Sequence, residues 1–215
     1  MIPYRALIFD MDGLMVDSEP LWFEVLRDFA RARGGSFDQA LAEQCVGKGL
    51  ANTLRVMNET FGFGADIEGE SAVIVDAFIE RVGELSLKNG CVDIVAAVQR
   101  RPLRLPRAVA SSSARRLVLA TLGRFGLIER FDAVVSGDSV ARPKPAPDIF
   151  LLAASHLGVA PSECVVLEDS LAGVEAARAA GMRVVAIPER TDERFAALAD
   201  AVVADLHEAR TLLGL

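Results

Sequence analysis

The sequence is poor in cysteine, in histidine and in positive charge, and each shortage removes a class of function. Its three cysteines, Cys45, Cys91 and Cys164, are odd in number, far apart and flanked by apolar residues. That is how small core residues are used in a reducing, cytoplasmic setting, and it argues against a disulfide framework. Only two histidines are present, His156 within an apolar helical pattern and His207 near the C-terminus. With no G-x-S-x-G either, a Ser-His-Asp hydrolase is weakly supported. Lysine and arginine total 23 against 30 aspartates and glutamates, a formal net charge of −7. A nucleic-acid partner is therefore not expected, since phosphate backbones are held by excess cations. Hydrophobic residues make up 52% of the chain, yet no uninterrupted run reaches the ~18 residues of a membrane span. Asp10 and Asp12 break the first apolar run and no cleavage site follows, so neither a signal peptide nor a membrane partner is expected.

A chain of 215 residues accommodates one large or two unequal domains, at ~100–200 residues each. From about Ala108 onward, short β-branched or apolar runs alternate with helical patterns: "RAVA" then "ARRLVLATLGRF", "DAVVS" then "DIFLLAASHLG", "CVVL" then "LAGVEAARAAG", with "RVVAI" and "AVVA" following. The alternation predicts an α/β fold, a Rossmann-like parallel sheet covered by helices on both faces. Pro147 can open one helix, and Gly158 and Gly181 stand where helices should stop. Between a first strand at about Arg5 to Phe9 and this alternation, residues 16–87 carry "PLWFEVLRDFARARGG", "ALAEQCVGKGLANTLRVMNETFG" and "ESAVIVDAFIERVGEL". All three have helical spacing, and only the short "AVIV" reads as strand. The expectation is a core of residues 1–15 and 88–215 with a helical cap domain inserted at 16–87.

Four polar clusters fall at or beyond the C-terminal ends of strands, the edge where open α/β sheets bind ligands. Asp10 and Asp12 are two apart in extended chain and so face one side, with Met11 turned to the core; alternatively Asp12 only closes the strand in an Asp-Gly turn. A calcium loop is excluded, because its sixth and twelfth places hold Met15 and Leu21. Glu168 and Asp169 end another strand, where Asp169 or Ser170 could alternatively cap a helix. Carboxylates gathered on one edge repel one another unless a cation sits among them, and all-oxygen ligands point to Mg²⁺. "ASSSARR" places Ser111, Ser112 and Ser113 at a strand-to-helix turn suited to an anion, although Ser113 could serve only as a cap. Lys144, between Pro143 and Pro145, can be held on a phosphate and a carboxylate together, or be merely solvated.

"DMDGLMVDS", "ASSSA", "KPAPDIF" and "VLEDSLAGVEAARAAG", in this order, resemble the four motifs of the haloacid dehalogenase-like hydrolase superfamily, in its branch with a small helical cap after the first motif. The resemblance spans nearly the whole chain. It implies that Asp10 is the nucleophile that takes a phosphoryl group, and that Asp12 is the acid for the leaving alcohol and then the base for water. It further implies that Ser111 binds the phosphoryl oxygens, with Ser112 and Ser113 in the substrate site, and that Lys144 offsets their charge. Mg²⁺ would be held by Asp10, the backbone carbonyl of Asp12, Glu168 and Asp169.

Dehalogenases and phosphonoacetaldehyde hydrolases of this superfamily typically lack aspartate at the second position, so Asp12 favours phosphate esters, whose leaving oxygen needs a proton. "DSEPLW" is similar to the 2-deoxyglucose-6-phosphate and hexitol phosphatases. A small phosphorylated sugar or polyol is thus the expected substrate, with Glu19, Trp22 and Lys48 as candidate contacts, or Trp22 as a core anchor of the cap. The runner-up is a β-phosphoglucomutase-like mutase, but the histidine, lysine and arginine of that family are replaced by Trp22, Val46 and Leu50. A non-catalytic phospholigand-binding protein is the alternative of another class. The protein is expected to act as a monomer on a small phosphorylated metabolite.

Overall fold

The computed structural model describes residues 4–45, 49–64, 66–100, 105–190 and 192–215. Its strands are β1 (Ala6–Phe9), β2 (Val16–Asp17), β3 (Ser86–Leu87), β4 (Arg107–Ser111), β5 (Ala133–Ser136), β6 (Cys164–Glu168), β7 (Arg183–Ala186) and β8 (Ala201–Val202). Six of them form one sheet in the order β5-β4-β1-β6-β7-β8, and every neighbouring pair in it is parallel. All residues of β1, β4 and β6 are buried, as expected of parallel strands covered on both faces, which read as continuous apolar runs. From β1 the chain moves outward through β4 and β5, then crosses to build β6, β7 and β8 on the other side. The order therefore reverses at β1, and a ligand crevice belongs at the carboxyl ends of β1, β4 and β6.

The helices are α1 (Glu19–Ala32), α2 (Gln39–Cys45), α3 (Leu50–Phe61), α4 (Ile67–Glu80), α5 (Cys91–Arg100), α6 (Arg115–Arg124), α7 (Asp148–Leu157), α8 (Leu171–Ala179), α9 (Glu193–Leu198) and α10 (Leu206–Leu212). The described residues of Met1–Asp17 and Ser86–Leu215 make one compact unit, and those of Ser18–Leu85 make another. In the first, Ile149, Phe150 and Ala153 of α7 and Val174, Ala176 and Ala177 of α8 join Ile8, Ala110, Val166 and Val184 of the sheet in one core. Pro147 stands immediately before α7, and Gly158 ends it in the left-handed conformation at φ 64°.

The second unit is helical. In α1 the buried Leu21, Val25, Leu26 and Phe29 fall on one face, as 3.6-residue periodicity requires. "AVIV" lies within α4 and is not a strand: tertiary burial of Ile74 and Val75 on a helix overrides the β preference of a short branched run. The long helical stretch before it is two helices, α2 and α3, with Gly49 preceding the second. The two-residue strands β2 and β3 pair antiparallel in the sheet-bearing unit, Val16 with Leu87 and Asp17 with Ser86. They are too short to show an alternating pattern in the sequence.

Among the described residues no helix is long and apolar enough to cross a membrane. Cys45, Cys91 and Cys164 are all buried.

Candidate active site

The site begins where β1 ends. Asp10 continues the ladder by donating its N–H to the Leu167 carbonyl at 3.0 Å, and the next residues turn back: the N–H groups of Met15 and Val16 both donate to the Met11 carbonyl, and Gly13 N–H donates to Val16. This turn buries Met11 completely, as its alternation with the two aspartates predicts, and leaves Asp10 only 5% exposed. Gly13, at φ +81°, serves a second purpose, because a Cβ there would lie 2.2 Å from Asp169 Oδ2. Its missing side chain is what lets Asp169 approach the Asp10 turn.

Asp10, Glu168 and Asp169 each offer a carboxylate oxygen within 4.8 Å of the others. Lys144 stands among them with only 6% of its side-chain surface exposed, so the solvated-lysine reading is overturned. Its three ammonium protons have three acceptors, Asp10 Oδ1 at 2.5 Å, Glu168 Oε1 at 2.6 Å and the Ala110 carbonyl at 3.3 Å. The ammonium also lies 4.8 Å over the Phe150 ring, a further attraction for a desolvated cation.

One ammonium does not balance three carboxylates. Burial pushes the Asp10 carboxyl up to about 8, against the pull of Lys144 and with added repulsion from Glu168. Burial likewise pushes Asp169 well above the ordinary range, reinforced by Glu168 and Asp10. Burial alone would lower Lys144, but the two carboxylates raise it instead. The cluster is short of positive charge, and an all-oxygen donor set of this kind fits a hard divalent cation. The three carboxylates are not equivalent as ligands. Glu168 already uses Oε1 on Lys144, and its Oε2 accepts from the Ser170 N–H at 2.7 Å and hydroxyl at 3.0 Å. Asp10 and Asp169 are the members better placed to face an ion.

The Asp12 carboxylate stands outside the three-carboxylate group; the expectation for an ion concerns only its backbone carbonyl. Asp12 Oδ2 instead accepts from Ser113 Oγ at 2.8 Å and Ser111 Oγ at 3.2 Å, while Oδ1 is buried without a hydrogen-bond partner. Ser111 and Ser113, expected to face phosphoryl oxygens, therefore hold an acidic side chain in this state. The capping alternative for Ser113 also fails, since Ala114 occupies the N-cap of α6. For Ser170 it holds: its hydroxyl accepts from Gly173 N–H as the N-cap of α8. Ser112 is exposed.

Of the candidates in the helical unit, Glu19 lies in the first turn of α1, and Trp22 packs on Phe78 of the same unit at 4.3 Å between ring centroids. That contact is the one the anchor reading of Trp22 requires. Lys48 and Val46 lie outside the described residues, and Leu50 opens α3.

Gly173 was not legible in the sequence. A Cβ there would sit 1.6 Å from Glu168 Oε1, and Glu168 is fully buried and pinned at both oxygens. Gly173→Ala is expected to force Glu168 off Lys144 and to cost about 1–3 kcal/mol of stability, the usual penalty of overpacking. Urea unfolding of the variant checks this, and an unchanged midpoint would contradict it.

The model of the haloacid dehalogenase-like hydrolases matches residues 4–181. A phosphorylated carbohydrates phosphatase of Thermotoga maritima is 35% identical over 83% of this chain and 82% of its own. The fructose-1-phosphate phosphatase YqaB of Escherichia coli is 35% identical over 85% of this chain and 95% of its own. Among solved structures, CbbY of Rhodobacter sphaeroides in complex with phosphate superposes with a TM-score of 0.86 at 27% identity, covering 95% of this chain and 96% of that one. With the motif residues converging on one sheet edge and the match extending over most of its length, the chain belongs to the haloacid dehalogenase-like hydrolases.

Proposed function

We propose that the protein is a Mg²⁺-dependent phosphatase of a small phosphorylated sugar or polyol, acting through a phosphoryl group carried on Asp10. The observation that carries the reading is the buried Asp10 carboxylate at the end of β1, ion-paired with Lys144 at 2.5 Å in a cluster short of positive charge. A dianionic phosphate is tolerated in such a place only with added cations, and phosphoryl transfer depends chiefly on positioning and charge neutralisation. The named activities of the relatives, on phosphorylated carbohydrates and on fructose 1-phosphate, support the substrate class.

Asp10 and Asp169, with Glu168 oriented behind them by Lys144 and Ser170, would hold Mg²⁺, which when bound neutralises charge on the transferred group. Asp10 attacks phosphorus with one carboxylate oxygen, and the bond from phosphorus to the sugar oxygen breaks. Asp12 gives its proton to that departing oxygen, then takes a proton from the water that attacks the aspartyl phosphate; inorganic phosphate leaves and Asp10 is restored. Lys144 remains fixed on Asp10 and Glu168 and faces the equatorial charge as it passes. A carboxylic acid beside the nucleophile has no use in a protein that only binds phosphate.

The test is a panel of fructose 1-phosphate, glucose 6-phosphate, sorbitol 6-phosphate and 4-nitrophenyl phosphate, followed by phosphate release with Mg²⁺ and with a chelator. Turnover of at least one sugar or polyol ester, lost on chelation, is expected; no release from any ester by the intact protein would leave only binding. Asp12→Asn should lower kcat/KM on the sugar ester by about 10²–10⁴-fold, the usual worth of a general acid. The loss on the nitrophenyl ester should be much smaller, because that group departs without a proton. Equal losses would mean that Asp12 acts through structure alone.

A further inference from the structure

A serine at the mouth of a helix ordinarily turns its hydroxyl to an N–H of the first turn. Ser113, two residues before α6, does not. Its hydroxyl donates to Asp12 Oδ2 at 2.8 Å, its N–H donates to Ser111 Oγ at 3.1 Å, and its carbonyl accepts from Gly137 N–H at 2.9 Å. The first-turn N–H of Arg115 goes to Asp138 Oδ2 at 2.9 Å, from the turn after β5. Asp138 is itself held, its Oδ1 accepting from the buried Ser136 hydroxyl at 2.5 Å. Ser136 pairs in register with Ser111 across the sheet. Gly137 packs so closely on the same segment that a Cβ would lie 2.1 Å from the Ser112 carbonyl oxygen. The turn after β5 thus grips the chain after β4 at Ser112, Ser113 and Arg115. Although burial alone would raise it, the Asp138 carboxyl is held below the ordinary range by the Ser136 hydroxyl and the Arg115 N–H.

We propose that Ser113 orients Asp12 for proton transfer, and that Asp138 frees Ser113 for this task by capping α6 in its place. The two serine hydroxyls fix Asp12 through Oδ2, and the unpartnered Oδ1 is the atom left to carry the proton. Asp138 touches none of the reacting groups and is a positioning residue. If it is removed, the Arg115 N–H loses its acceptor and draws the Ser113 hydroxyl round to serve it, and that rotation weakens the shorter hydrogen bond to Asp12. The inference rests on the reading of Asp12 as the acid, and it adds a residue to that machinery which no strand-end motif contains.

The experiment measures kcat/KM, which reports the steps up to departure of the leaving group, for intact enzyme and variants with Mg²⁺. The two substrates are 4-nitrophenyl phosphate and whichever sugar phosphate of the panel is turned over fastest. Asp138→Ala is expected to lose about tenfold on the sugar ester, the effect of a lost cap interaction transmitted to Asp12, and to stay within about twofold on the nitrophenyl ester. Asp138→Asn, which keeps an acceptor for Arg115 and can donate to Ser136, should restore the sugar ester to within about twofold of the parent. Ser113→Ala, which also removes a hydroxyl expected in the substrate site, should lower activity on both esters but more on the sugar ester, and the double variant should lose little beyond Ser113→Ala alone. The ratio between the two esters is insensitive to partial unfolding, because both meet the same folded fraction. Equal losses on both esters, no loss on either, or an Asn variant as damaged as the Ala variant would overturn the inference. Should the intact enzyme release phosphate from neither ester, the phosphatase reading itself fails; with turnover of both and an unchanged ratio in Asp138→Ala, only this inference fails.

Discussion

Asp10→Asn is expected to abolish phosphate release while leaving the protein folded. The amide has the shape of the carboxylate but is too poor a nucleophile to take a phosphoryl group, and loss of a nucleophile costs roughly 10⁴-fold or more in kcat. Folding should survive because Lys144 keeps Glu168 and the Ala110 carbonyl as acceptors. The substitution also removes one of three clustered carboxylates, the one that burial pushes up to about 8. Without metal, the variant should therefore melt no lower than the parent by more than a few degrees. Phosphate release and thermal melting, measured on one preparation, separate the two effects. Activity within tenfold of the parent would remove Asp10 from the nucleophile's role, and a collapsed melting transition would show that the ion pair, and not the chemistry, depends on it.

Lys144→Ala should have the largest effect on stability and a large one on rate. The ammonium is the partner of two buried carboxylates, at 2.5 and 2.6 Å. Removing one member of a buried ionic group leaves uncompensated charge and costs about 3–5 kcal/mol. Much of that loss should return when Mg²⁺ is added, since a divalent cation supplies the missing charge to the same carboxylates. Turnover should nevertheless fall by about 10²–10³-fold, the usual cost of losing one preorganised group that meets developing charge. Lys144→Arg is expected to rescue little, because a planar fork cannot reproduce three bonds that converge on one ammonium. Chemical denaturation with and without Mg²⁺ measures the first effect and steady-state kinetics the second. A metal-free variant as stable as the parent would mean that the buried carboxylates are neutral already.

Much of this was legible before any coordinates. Asp10, Lys144, Glu168 and Asp169 could each be placed at a strand end, because strand length, helix periodicity and punctuation by Pro147 and Gly158 are local properties. The readings that failed were those in which a local preference met a distant competitor. "AVIV" has the branched residues of a strand, but Ile74 and Val75 are buried as part of a helix. Ser113 has the residue type and position of a cap, but a carboxylate 101 positions earlier takes its hydroxyl. Gly173 carried no signal of its own, since its importance lies in the volume that Glu168 occupies beside it.

The sequence by itself determined which chemical groups reach the edge of the sheet, since that depends on alternation and turn chemistry over a few residues. Tertiary structure alone decided how they are shared. Lys144 meets Asp10 across 134 positions and Glu168 across 24, and Asp138 meets Arg115 across 23. Such pairings have no local propensity behind them. They are selected because a buried charge or donor is costly until it finds a partner, and which partner is within reach is settled only when β1, β4, β5 and β6 lie side by side.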